Sequence, residues 1–351
     1  MTTTLTIAVP TFNRPLEVLK VINELISQLD KSALWNDIQI LVCDNSREAN
    51  KSLEKYIDLS NFKYVHNGEN IGQARNINKL FTESDGEFVW ILADDDVLLS
   101  NSILEVFNAI GRHTTEIKDI GFITFYTGDG RSPNLWIKTS SSNELISSVV
   151  FLESSWQHPI FISNNILNRK KTLKIITKYN LNSLVNDTYQ NSVLSFLQII
   201  STAKVLVIPK TLVIDSNRNK YYGVSQGFRV KIFDLMKLGT LVSQSCENKP
   251  FVKALSRSVI SSSIVWGFIF TKTANHSYET IVYNENMKSK FLLFRYRFVL
   301  SILNSMQFQI IWNTYYIILR CIKPKIALNV NSQLRSYMLQ RDKKLVEQTY
   351  D

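Results

Sequence analysis

Across the first 125 residues, short apolar runs alternate with segments of helical spacing, a pattern that points to an α/β domain built on a mostly parallel sheet flanked by helices. Leu5 to Val9 is a buried run closed by Pro10. Pro15 stands where a helix can open, and Leu16, Leu19, Val21, Ile22, Leu25, Ile26 and Leu29 keep helical spacing behind it. Further strands are predicted at Ile38 to Cys43, Phe62 to His66, Phe88 to Leu92 and Ile120 to Phe125, with helices from about Gln73 to Thr82 and about Ser102 to Gly111. Polar residues recur at the strand ends: Thr11-Phe12-Asn13-Arg14, then Asp44-Asn45-Ser46, then a turn from Asn67 to Gly72, then Asp94-Asp95-Asp96. In open α/β sheets the ligand crevice lies at the carboxyl ends of the strands.

The Asp triplet is the most concentrated of these features. Three acids at one strand end repel one another unless solvent or a cation offsets the charge. Hard divalent cations such as Mn²⁺ or Mg²⁺ take one or two carboxylates together with phosphate oxygens. A solvated acidic turn is the alternative that the triplet alone leaves open. Thr11 and Asn13 have a similar double reading, because both are also residues that cap helices, and one is predicted to start near Pro15.

Four segments in order resemble the family 2 glycosyltransferases, nucleotide-sugar-dependent enzymes of the GT-A, Rossmann-like fold. Val9-Pro10-Thr11-Phe12-Asn13-Arg14 is similar to the family's opening strand and loop, and Val42-Cys43-Asp44-Asn45-Ser46 to its second strand end. Asn70-Ile71-Gly72-Gln73-Ala74-Arg75-Asn76 is similar to its third segment, and Ile91 to Leu98 to its acidic metal motif. The chain departs from the family pattern twice. Ala93 stands where many members place the first Asp of Asp-x-Asp-Asp, although Asp94 to Asp96 still supplies an Asp-x-Asp. Arg47-Glu48-Ala49-Asn50 lacks the Ser/Thr-Asp continuation common after the second strand.

The resemblance implies a nucleotide-sugar donor held by Pro10, Thr11, Asn13, Asp44, Asn70, Gly72, Arg75, Asp94 and Asp95, with Asp94 and Asp96 on Mn²⁺ or Mg²⁺. Asp44 would accept a base N–H, Asp95 and Asp96 would reach ribose and metal, and Arg75 would fork onto a carbonyl or phosphate oxygen. A cation suits this chemistry because charge builds on the departing diphosphate. A surface helix arginine is the plain reading of Arg75. Further along, Pro159 to Ser163 reads as a strand leading into Asn164-Asn165, and a helix is predicted from Val193 to Ile200. By resemblance, Asp187, between that strand and that helix, is the general base that removes the acceptor hydroxyl proton for inversion. A helix N-cap is its alternative reading. Glu153, Trp156 and His158 form a weaker cluster in the same stretch.

Composition separates the remaining classes. The formal net charge is +10, much of it in the last third of the chain. There, Lys249, Lys253 and Arg257 precede an apolar stretch from Ser258 to Phe270. Lys288, Lys290, Arg295 and Arg297 precede another, Phe298 to Leu319, which Arg320, Lys323 and Lys325 close. Asn304, Ser305, Gln307, Gln309, Asn313 and Thr314 make the longer stretch poor for spanning a bilayer, so an interfacial aromatic helix on an anionic membrane surface is expected. A helical cap with solvated cations is the alternative. A nucleic-acid partner is disfavoured, since no binding motif accompanies the charge. Three scattered cysteines point to a reducing compartment, and Thr4 to Pro10 is too short for the apolar core of a secretory signal.

The expectation is therefore a donor half over residues 1–125, an acceptor half over 126–230, and a basic helical appendage over 231–351. The acceptor would be a glycan or lipid-linked saccharide met at the cytoplasmic face of the membrane. A non-catalytic peripheral membrane protein that keeps the fold is the alternative from another class. A nucleotidyltransferase is another, but Thr11 to Pro15 contains no Gly of the kind its phosphate loop carries.

Overall fold

The computed structural model describes residues 3–128, 144–148, 150–151, 159, 161–178, 180–181, 190–202 and 204–214. Among them, nine strands form one sheet. These are β1 (Leu5–Thr11), β2 (Ile38–Asp44), β3 (Phe62–His66), β4 (Phe88–Ile91), β5 (Val97–Leu98), β6 (Ile120–Gly128), β7 (Glu144–Ser147), β8 (Asn165–Asn168) and β9 (Lys204–Ile214). Their order is β3-β2-β1-β4-β8-β6-β9-β5, with β7 also paired to β9. Strands β3, β2, β1 and β4 run parallel, as do β6 and β9, while β8 is antiparallel to both of its neighbours.

Local sequence explains the first half. Strand β1 reads Leu-Thr-Ile-Ala-Val-Pro-Thr and β2 Ile-Gln-Ile-Leu-Val-Cys-Asp, and β2 is buried throughout, as a central parallel strand covered on both faces should be. Helix α1 (Pro15–Ser32) begins at its proline and buries Val18, Val21, Ile22, Leu25 and Leu29, one face at helical spacing. Gln28 is buried on that face too, because it donates to the Leu99 carbonyl and accepts from the Ile103 amide at the start of α3 (Ser102–Arg112). Helix α2 (Gln73–Glu83) carries the chain from β3 to β4, in the opposite direction across the sheet to α1, so right-handed crossovers place the two on opposite faces. Helices α4 (Arg169–Lys178) and α5 (Gln190–Ser201) pack with α2, and α3 packs with α1.

The stretch after residue 159 departs from expectation. Ile162–Asn164 is a 3-10 turn, and the strand begins at Asn165 instead of running from Pro159 to Ser163. Asn165 Nδ2 donates to the Ile162 carbonyl and also to that of Phe161, which closes the turn and starts the strand one turn later. Strands β5, β7 and β9 and helix α4 were not expected at all. The C-terminal appendage, the segment from Glu153 to His158, and Asp187 lie outside the described residues. Among the described residues no helix is long and apolar enough to cross a membrane.

Candidate active site

Parallel pairing brings the polar strand ends into one row. Thr11 is in register with Asp44 across β1 and β2, and Asp44 with His66 across β2 and β3. Pro10 lies one step back, opposite Cys43. Beyond β4, the chain turns at Asp94, Asp95 and Asp96 before β5, so the acids reach the same rim from the other side of β1. The Thr11 hydroxyl donates to Asp94 Oδ2 at 2.7 Å and joins the two sides. Thr11 therefore does not cap α1. The N-cap position is Arg14, and neither it nor Asn13 makes a side-chain cap bond there. Asn13 instead takes a left-handed conformation, φ 55°, and its amide donates to Ser46 Oγ at 2.8 Å, which ties the β1 loop to the end of β2.

The two acidic positions of the rim are held differently. Asp44 is buried, with Oδ1 accepting from the Ser46 amide at 2.9 Å and Oδ2 from the Tyr64 hydroxyl at 2.7 Å. Tyr64 in turn accepts from the Asn50 amide and stacks on His66, with ring centroids 6.4 Å apart. The loop Arg47 to Asn50, which lacks the common continuation, thus still braces Asp44 through Tyr64. Burial and the bond to Asp44 push the Tyr64 hydroxyl well above its usual range.

In the triplet, Arg14 Nη1 lies 2.9 Å from Asp94 Oδ1 and 2.7 Å from Asp95 Oδ2. Burial raises the Asp94 carboxyl above its ordinary range. Thr11 and Arg14 act against that rise, and the neighbouring charge of Asp95 adds to it. Asp96 is buried, and its Oδ2 accepts from the Ser163 hydroxyl, whose oxygen also receives the Ala93 amide at 2.9 Å. Ala93 thus contributes its backbone at the position where the resemblance leads one to expect a first Asp. Both polar atoms of the neighbouring Asn164 amide are buried without a hydrogen-bond partner among the described residues.

The third segment is built on asparagines. Asn45 donates to Asn70 Oδ1 at 2.6 Å, and that same oxygen caps the Gly72 amide. Asn45 Oδ1 accepts from Ile71, while Asn67 donates to Asn45 and Asn76, and Asn76 to the Cys43 carbonyl. Gly72 sits at φ 87°, a conformation that glycine adopts without strain, and it opens α2. This network places Arg75 in the first turn of α2, exposed and without a hydrogen bond or ion pair among the described residues. Sequence reasoning singled out neither Arg14, Ser163 nor Tyr64 as contacts of the acids. Arg14 stood inside a quoted motif, whereas nothing local marks Ser163 or Tyr64.

No group of three His, Cys, Asp or Glu side chains among the described residues converges as a metal cage. The carboxylates of Asp94 and Asp96 nevertheless fit Mn²⁺ or Mg²⁺, because such cations need only one or two hard oxygen ligands from the protein when phosphates supply others.

Residues 6–176 match the family described as Glycosyl transferase family 2. No curated protein matches the chain in sequence. Among solved structures, TarS 1-349 of S. aureus in complex with UDP-GlcNAc is 12% identical with a TM-score of 0.58, over 81% of this chain and 80% of that one. The mannosyltransferase PcManGT from Pyrobaculum calidifontis, in complex with GDP-Man and Mn2+, is 13% identical with a TM-score of 0.57, over 97% of this chain and 87% of that one. Likeness at such identity speaks for the fold, which is the expected GT-A type, and a fold alone names no activity. The sequence match goes further, since it spans every residue of the rim from Thr11 to Ser163, and through it residues 6–176 are a glycosyltransferase domain of family 2.

Proposed function

We propose that the chain transfers a sugar from a nucleotide-sugar donor to a hydroxyl of a glycan acceptor, with inversion and with Mn²⁺ or Mg²⁺ as cofactor. The observation that carries this reading is the Thr11–Asp94 hydrogen bond, which joins the ends of β1 and β4 into one polar rim beside Asp44. TarS binding UDP-GlcNAc and PcManGT binding GDP-Man with Mn2+ support the donor class and the cation. Residues 1–125 would form the donor half and 126–230 the acceptor half.

The residues divide the work as follows. Asp44 keeps lone pairs beyond those used by Ser46 and Tyr64, so it accepts a base N–H while Tyr64 holds its orientation. Asp95 and Asp96 serve the ribose and the cation, Asp94 joins Asp96 as a cation ligand, and Thr11 orients Asp94. Asn70 and Gly72 shape the loop that presents Arg75 to the donor. Asp187 takes the acceptor hydroxyl proton as that oxygen attacks the anomeric carbon and the nucleoside diphosphate leaves. A bound cation supplies Lewis-acid stabilisation of that leaving group.

Thermal shift over a panel of nucleotide sugars with Mn²⁺ tests the reading. A true donor at 100 times its dissociation constant stabilises by about 2.7 kcal/mol and is hydrolysed slowly without acceptor. Binding without hydrolysis or transfer would favour a non-catalytic relative, and no shift with any nucleotide sugar would end the proposal.

The acceptor is proposed to be a lipid-linked saccharide in surface polysaccharide synthesis, met where the basic region 231–351 touches anionic lipid at the cytoplasmic membrane face. Cations near such a surface contribute about 1 kcal/mol each. Liposome co-sedimentation of the whole chain should therefore need anionic lipid, weaken with salt, and fall when Arg295, Arg297, Arg320, Lys323 and Lys325 become Gln. Equal binding to neutral liposomes would point to insertion, and no binding would move the acceptor away from the membrane.

A further inference from the structure

Arg14 is the one cation that the β1–α1 loop brings to the acids, and the donor reading gives it no task. A single guanidinium nitrogen touches Asp94 Oδ1 and Asp95 Oδ2, while the arginine side chain itself remains 42% exposed and Asp94 only 8%. The loop sets this position. Asn13 turns left-handed and is tied to Ser46, and Pro15 opens the helix directly afterwards, so Arg14 is held above the triplet without a capping bond of its own.

Resting on the metal-dependent reading above, we propose that Arg14 is an exchangeable counter-ion. It neutralises Asp94 and Asp95 until the divalent cation arrives, competes with that cation for the carboxylates, and passes to the diphosphate of the donor. A guanidinium and a divalent cation cannot both sit at contact distance from Asp94 Oδ1 without strong repulsion, so one displaces the other. The displaced group has an acceptor at hand. A diphosphate offers several anionic oxygens to its fork of N–H donors, and a weakly hydrated guanidinium sheds little water to pair with them, so the new contacts replace the carboxylates it leaves. Cation and nucleoside diphosphate are thereby coupled through Arg14, each favouring the other by the same factor.

The test measures Mn²⁺ binding by electron paramagnetic resonance on the full chain, with and without UDP or GDP. It also measures the affinity for each nucleoside diphosphate at saturating Mn²⁺. Arg14→Gln should bind Mn²⁺ about fivefold more tightly without nucleotide and the diphosphate about tenfold more weakly, two shifts of opposite sign that a merely structural residue would not produce. Arg14→Lys keeps the charge and loses the fork, so its Mn²⁺ affinity without nucleotide should match wild type while its diphosphate affinity falls. It carries the test if the Gln variant does not fold. Unchanged or weaker Mn²⁺ binding by Arg14→Gln overturns the proposal, as does diphosphate binding by Arg14→Lys equal to wild type. Should wild type bind no Mn²⁺ with either nucleotide, the metal-dependent reading fails instead.

Discussion

The two ends of the same parallel strands are built on different principles. At the amino end, Thr6 donates to Gln39 at 2.8 Å, Gln39 donates to Asp85 at 2.6 Å, and the Asp85 and Gly86 amides return to Gln39 and Thr6. Only one carboxylate takes part, and the groups answer one another. At the carboxyl end, three acids follow one another in sequence, Arg14 bridges Asp94 and Asp95, and burial works against the ionised form of Asp94. The amino end spends its polar groups on holding the sheet together. Its opposite number gathers carboxylates on the rim where the strands end, so substitutions at the two ends should fail in different ways.

The largest effect is expected at the carboxyl end. Asp96→Ala should lower transfer by on the order of 10³-fold and remove Mn²⁺-dependent nucleotide binding while the protein still melts cooperatively. Metal dependence unchanged in that variant would sink the assignment. Asp187→Asn should cost roughly 10²-fold or more in turnover with donor affinity nearly intact. A lower melting temperature with turnover preserved per folded molecule would make Asp187 only a helix cap.

Gly86→Ala probes the amino end. An added Cβ would meet the Thr6 backbone nitrogen at 2.5 Å and the Leu5 carbonyl carbon at 2.7 Å. Backbone on both sides cannot yield cheaply, and overpacking of this kind costs about 1–3 kcal/mol. Turnover per folded molecule should stay at the wild-type value, and a loss of activity without a loss of stability would break the contrast between the two ends.

A smaller signature follows from Asp94. Its folded-state carboxyl titrates above the unfolded one, so the stability it contributes is complete below about pH 4 and is lost as pH rises through the folded value. Thermal melts between pH 4 and 7 without divalent cation should show Asp94→Asn losing less stability on the alkaline side than wild type. Parallel profiles would mean that Arg14 and Thr11 already offset the burial. The smallest expected effect concerns Cys43, whose thiol burial pushes up to about 12. Alkylation at pH 8.5, read by peptide mapping, should leave Cys43 intact until the chain is unfolded.

The first four predicted strands and the first three predicted helices recur at nearly the same residues, and Phe62–His66 coincides at both ends. Their signals are local: a continuous apolar run for a doubly covered strand, one apolar face for a helix, and Pro15 or Gly72 at a helix start. The order of polar strand ends was legible for the same reason, since parallel strands return every end to one rim. Strand β8 was misplaced because Asn165 and Asn168 flank only two apolar residues. Its stability comes from neighbours on both sides and from Ser195, which donates to Asn165 Oδ1.

What the chain dictates by itself, then, is the set of α/β units and the rim where Thr11, Asp44 and Asp94 to Asp96 must meet. Tertiary structure alone decided which groups hold those acids. Arg14 reaches Asp94 across 80 positions of sequence, Ser163 reaches Asp96 across 67, and Tyr64 reaches Asp44 across 20. Periodicity and turn residues report what lies within a turn or two of chain. A contact between distant side chains depends on strand register and on where an antiparallel strand is inserted, and those are settled only when the whole sheet closes on its core.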